Sequence, residues 1–63
     1  MTIEELRRLQ IPATEQGKNV FRVNSQHGTV MYYPSREKWQ HRGKVHEGDV
    51  TAFRAWLKRH GML

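Results

Sequence analysis

Arg22, Lys38 and Arg42 supply three cations, Tyr33 an aromatic ring and Gln40 an amide, all at alternate positions of segments that read as β-strands. That set of side chains is what contact with a polyanion needs. Lys and Arg hold phosphates, an aromatic ring stacks on a base, and Arg or Gln reads base edges. Arg54 and Lys58, with Arg59 and His60 beside them, form a second basic run that would clamp a backbone flanking the first group. The ordinary alternative is a solvated sheet face, because any half-exposed antiparallel sheet is polar on its outer side. For the C-terminal run the alternative is the wet side of an amphipathic helix with cations matched to its dipole, and that is the simpler explanation there. Charge balance favours the polyanion for the sheet. Eleven Lys/Arg against six Asp/Glu leave a net charge of +5, which draws polyanionic partners. The loop Ser35-Arg36-Glu37-Lys38 can also touch phosphates, although Glu37 works against it.

The elements that must position these residues follow from local patterns. Thr2 and Glu5 have capping-box spacing, and Ile3, Leu6 and Leu9 share a helical face. Pro12 disfavours helix at Ile11, so this first helix is expected to end near Gln10. From Val20 the period becomes two. Val20–Asn24 and Thr29–Tyr33 are rich in β-branched and aromatic residues, and Ser25-Gln26-His27-Gly28 between them reads as a hairpin turn. Pairing Asn24 with Thr29 sets Val23 against Val30 and Phe21 against Tyr32. A slip of two residues keeps all four on one face. Pro34-Ser35-Arg36-Glu37 breaks the second strand, and Lys38–Arg42 resumes alternation as a third. Pairing Tyr33 with Lys38 then puts Trp39 beside Tyr32. Gly43-Lys44 kinks or ends this strand, with Val45-His46 as its extension. Asp49 is a good N-cap, and Val50, Phe53, Trp56, Leu57 and His60 make a helical stripe that Gly61 closes.

Assembled, these pieces predict an α+β fold of order α-β-β-β-α, a single small domain over residues 1–63. A three-stranded antiparallel sheet packs on the C-terminal helix, with a short N-terminal helix at one edge. Phe21, Val23, Val30, Tyr32 and Trp39 meet Val50, Phe53, Trp56 and Leu57 in the core. By the same parity Val20, Arg22, Met31, Tyr33, Lys38, Gln40 and Arg42 face outward.

Several chemistries find no support. The chain has no cysteine, hence no disulfide and no thiolate metal site. The longest stretch free of Asp, Glu, Lys and Arg, Val23–Ser35, is too short and polar to span a bilayer, and the N-terminus lacks the pattern of a signal peptide. A cytoplasmic setting is expected. His41 and His46 are five residues apart, but no zinc-ligand spacing surrounds them, so turn, cap or core roles are expected for all four histidines and no metal or cofactor is assigned. No nucleophile elbow, phosphate loop or GxGxxG is present, and a core this small leaves little room for a desolvated pocket. The chain reads as a binding protein, not an enzyme.

The segment Tyr32-Tyr33-Pro34-Ser35-Arg36-Glu37-Lys38-Trp39, followed by Gly43, Gly48 and the helix Val50–Lys58, resembles short phage- or prophage-encoded proteins of uncharacterised role. These carry an aromatic-aromatic-Pro turn, a Lys-Trp strand and a final amphipathic helix. The resemblance covers about the second half of the chain. It implies a phage or bacterial host cytoplasm and transfers no catalytic residue. The β-β-β-α order is also similar, in topology alone, to sheet-reading DNA-binding domains such as the arm-binding domain of tyrosine recombinases and the plant AP2 domain.

Two function classes therefore stand. The first is a small basic accessory protein that binds nucleic acid, duplex DNA foremost, through Arg22, Tyr33, Lys38, Gln40 and Arg42, with Arg54 and Lys58 adding flanking charge. The second is a protein-interaction module or inhibitor that docks on an acidic partner through a sheet edge or the Met31/Tyr33 patch. Neither needs a membrane, and either suits a monomer or weak homodimer.

Overall fold

The computed structural model describes residues 1–63, all of the chain. In order it forms α1 (Ile3–Arg8), β1 (Ala13–Gly17), β2 (Val20–Ser25), β3 (Gly28–Tyr33), a 3-10 turn (Pro34–Arg36), β4 (Lys38–His41), β5 (Lys44–Glu47) and α2 (Val50–Arg59). The fold is α+β with an antiparallel sheet and a C-terminal helix. The sheet has five strands in sequential order, β1-β2-β3-β4-β5, where three were expected.

Both additional strands are edges, and each lacks a sequence signal for its own reason. Ala13–Gly17 has one β-branched residue and no apolar alternation. It joins the sheet through backbone pairing, Ala13 with Val23, Thr14 with Arg22 and Glu15 with Phe21. At the other edge, Arg42 and Gly43 take φ values of 52° and 78°. Positive φ at both central residues is what a tight primed hairpin turn requires. The chain therefore reverses where a continuation was expected, and Lys44–Glu47 pairs back along β4, Trp39 with His46 and Gln40 with Val45. Arg42 is consequently a turn residue and not an outward strand residue.

The inner strands follow the alternation. Asn24 pairs with Thr29, Val23 with Val30 and Phe21 with Tyr32. Tyr33 pairs with Lys38 and Tyr32 with Trp39.

Both helices stop by the same device. In α1 the Thr2 hydroxyl accepts from the Glu5 N–H at 3.3 Å. At its far end Gln10 turns left-handed (φ 62°). The Ile11 N–H then donates to the Leu6 carbonyl at 2.9 Å, and the Gln10 N–H to that of Arg7 at 2.9 Å. In α2 Asp49 accepts from the Ala52 N–H at 2.9 Å. Gly61 (φ 72°) takes the left-handed place, with the Met62 N–H on the Leu57 carbonyl at 2.9 Å. These are Schellman closures, and the apolar pair each brings together, Leu6 with Ile11 and Leu57 with Met62, is buried. Leu9, as the C-cap of α1, is 37% exposed and does not join Leu6 in the core, contrary to expectation.

The core lies between α2 and one face of the sheet. Two inward rows cross all five strands: Glu15–Phe21–Tyr32–Trp39–His46 and Ala13–Val23–Val30–His41–Lys44. Of these rows Ala13, Phe21, Val23, Val30, Tyr32 and Trp39 are buried together with Phe53, Trp56 and Leu57 of α2, and His41 is half-buried. Tyr32 stacks on Phe53 with ring centroids 4.1 Å apart. Gly48 allows the close passage into α2. A Cβ there would lie 2.7 Å from the Ala52 Cβ and 3.3 Å from the Trp39 ring.

Candidate nucleic-acid interface

With α2 on one side of the sheet, the opposite face is left to solvent. Alternation decides who stands there. One transverse row runs Thr14–Arg22–Met31–Gln40–Val45, and a second runs Tyr33–Lys38–Glu47. Four of the seven expected site residues, Arg22, Tyr33, Lys38 and Gln40, thus lie in two adjoining rows. At about 4.8 Å between strands, β2 to β4 span roughly 10 Å, within the ~12 Å width of a B-DNA major groove.

Packing has already ordered part of this surface. Arg22, Met31, Tyr33 and Lys38 are half-buried, whereas Gln40 and Val45 stand exposed. The cross-strand neighbours of Arg22 are Thr14 and Met31, neither of which carries charge. Its Nε is covered and has no hydrogen-bond acceptor. The guanidinium is therefore held down by its stem with its positive charge unmatched across the ladder. Beside it, Tyr33, Lys38, Gln40 and Val45 line a depression of about 170 Å³ together with Arg36. The 3-10 turn at Pro34 carries Arg36 to this place, and the left-handed Glu37 (φ 51°) closes that turn.

The other three expected residues lie elsewhere. Arg42 sits in the β4–β5 turn, beside Gly28 at the end of the sheet. Arg54 and Lys58 belong to the helix layer. The Arg54 Nε donates to the Leu9 carbonyl at 2.8 Å, and both cations line a groove between α1 and α2.

Three of the four histidines gather on the core side. Around the Trp56 indole stand His60 at 4.3 Å, His46 at 5.2 Å and His41 at 5.3 Å, centroid to centroid. His41 Nε2 lies 2.8 Å from the His27 carbonyl, and His60 Nδ1 2.9 Å from that of Trp56. No three His, Asp or Glu side chains converge as metal ligands do. Alternation puts His41 on this side, whereas His46, of outward parity in a continuous strand, arrives here only because the chain reverses at Arg42-Gly43. The sequence has no signal for their meeting at one indole. Tyr32 is the titratable group the core perturbs most. Its hydroxyl is pushed up to about 12 by burial first, then by the charges of Asp49 and Glu37.

No protein-family model matches this chain, and no curated protein or solved structure matches it either. No helix is long and apolar enough to cross a membrane.

Proposed function

We propose that this chain binds nucleic acid, duplex DNA foremost, with the outer face of β2–β4. The observation that supports this reading most is the alignment of Arg22, Met31 and Gln40 in one row beside Tyr33 and Lys38 in the next. Arg22 and Lys38 hold phosphates, Tyr33 packs on a sugar or base, and Gln40 reaches a base edge. Arg36 extends the charge at one end of the face, while Arg42, in the β4–β5 turn beside Gly28, lies apart from it. Arg54 and Lys58, set behind the sheet, take no part in this contact.

Titration of labelled duplex, single-stranded DNA and RNA at a series of salt concentrations tests the reading. With three or four phosphates neutralised, log K falls against log salt with a slope of about −2.7 to −3.6 on duplex. Absence of binding to all three at low salt would refute it.

A further inference from the structure

The helix side of the molecule carries a second basic surface, independent of the outer sheet face. Arg8, Leu9 and Gln10 at the end of α1 face Val50, Thr51, Arg54, Ala55 and Lys58 of α2 across a groove of about 460 Å³. A second lobe of about 380 Å³ continues it past Pro12 to Met62 and Leu63, with Gln10, Arg54 and Lys58 shared between the two.

Three features define what this groove fits. Arg8, Arg54 and Lys58 supply three cations, and neither lobe is lined by an Asp or Glu side chain. Its apolar members include Leu9 at 37% and Leu63 at 42% exposure, two of the four large apolar side chains the molecule leaves open. The hydrogen bond from Arg54 Nε to the Leu9 carbonyl ties the α1 wall to the α2 wall, so the cleft is braced across its middle. Nucleic-acid backbone would use the cations and leave the leucines idle. A peptide with acidic and apolar side chains uses both. From Val50 to Lys58 the helix rises about 12 Å, the length of roughly four residues of extended chain.

We propose that the α1–α2 groove docks an acidic, leucine-bearing peptide segment of a partner protein. Its carboxylates pair with Arg8, Arg54 and Lys58, and its apolar side chains rest on Leu9 and Leu63. Arg54 contributes through its terminal nitrogens, because its Nε is already committed to Leu9. The proposal does not rest on the nucleic-acid reading, since no residue serves both surfaces.

The probe is a fluorescein-labelled eight-residue peptide of alternating Glu and Leu, followed by fluorescence anisotropy on the full chain. A second peptide with Gln in place of Glu is the neutral control. Arg8→Glu and Lys58→Glu lie on exposed positions, and circular dichroism verifies that each variant folds. The expected result is saturable binding of the acidic peptide, weakened at least tenfold by either reversal and unchanged in Arg22→Glu. Equal binding of the Gln peptide would overturn the proposal, as would absence of binding. Loss of peptide binding on Arg22→Glu with retention on Lys58→Glu would also overturn it, by moving the contact to the sheet. Duplex binding abolished by Lys58→Glu would reassign the groove to phosphate and overturn it equally.

Discussion

Tyr33 stands directly opposite Lys38 across β3 and β4, on the sheet face that no helix covers. An aromatic ring beside an ammonium group combines stacking with charge, and the neighbouring Arg22–Met31–Gln40 row extends that combination across three strands. Each residue is there because side chains alternate along a strand, and because the partners of opposite parity are claimed by Phe53, Trp56 and Leu57.

Charge reversal on that face is expected to remove binding without touching the core. In Arg22→Glu/Lys38→Glu, loss of two phosphate contacts lowers the magnitude of the salt slope by about 1.8 and weakens duplex binding at least tenfold at low salt. Salt-series titrations of the variant and parent protein measure both quantities. Unchanged far-ultraviolet circular dichroism confirms that the fold survives.

Trp56 carries a disproportionate share of the packing. Its ring meets Trp39 at 6.0 Å and three imidazoles at 4.3–5.3 Å. Trp56→Ala is expected to cost about 3–5 kcal/mol, enough to leave a domain this small largely unfolded. Urea denaturation followed by circular dichroism gives the loss directly, and a cost under 1 kcal/mol would contradict this account of the core.

The two helix ends predict substitutions of opposite sign. Gln10 holds a left-handed conformation that costs a non-glycine residue about 1–2 kcal/mol, so Gln10→Gly is expected to stabilise by roughly 0.5–1 kcal/mol after the greater entropy of glycine in the unfolded chain. Gly61→Ala puts a Cβ at φ 72° and is expected to destabilise by about 1 kcal/mol. Thermal melts of both variants test the pair.

Tyr32 makes stability fall in alkali. The unfolded chain ionises this phenol near 10, whereas the folded protein holds the proton to about 12. Above pH 10 the unfolded state binds fewer protons than the native one, so its free energy drops relative to the fold as pH rises. Stability present below pH 10 is lost between 10 and 12, on the order of 1–2 kcal/mol once residual solvent screening is allowed for. Urea midpoints across that range, compared with Tyr32→Phe, isolate the effect. The variant's midpoint is expected to decline less steeply.

Period and turn chemistry made the centre of this fold legible. Phe21, Val23, Val30 and Tyr32 alternate so strongly that register and buried face follow from them, and Asp49 and Gly61 mark both ends of α2. The edges were not legible. Ala13–Gly17 is held by backbone pairing to β2 and carries little side-chain pattern. The Arg42-Gly43 reversal lacks the Asn or Asp that usually announces a primed turn. Four of the site residues kept their places because they sit on paired strands. Arg42 moved with the missed turn. The helical stripe puts Arg54 and Lys58 away from the core, but their place beside α1 depends on tertiary packing that alternation does not encode.

Backbone amide NMR of the protein titrated with a duplex at low salt tests the central claim most directly. Shift changes concentrated at Arg22, Met31, Tyr33, Lys38 and Gln40, with the amides of α2 left in place, are the predicted result. A spectrum that moves only along α1 and α2, or does not move at all, would contradict it.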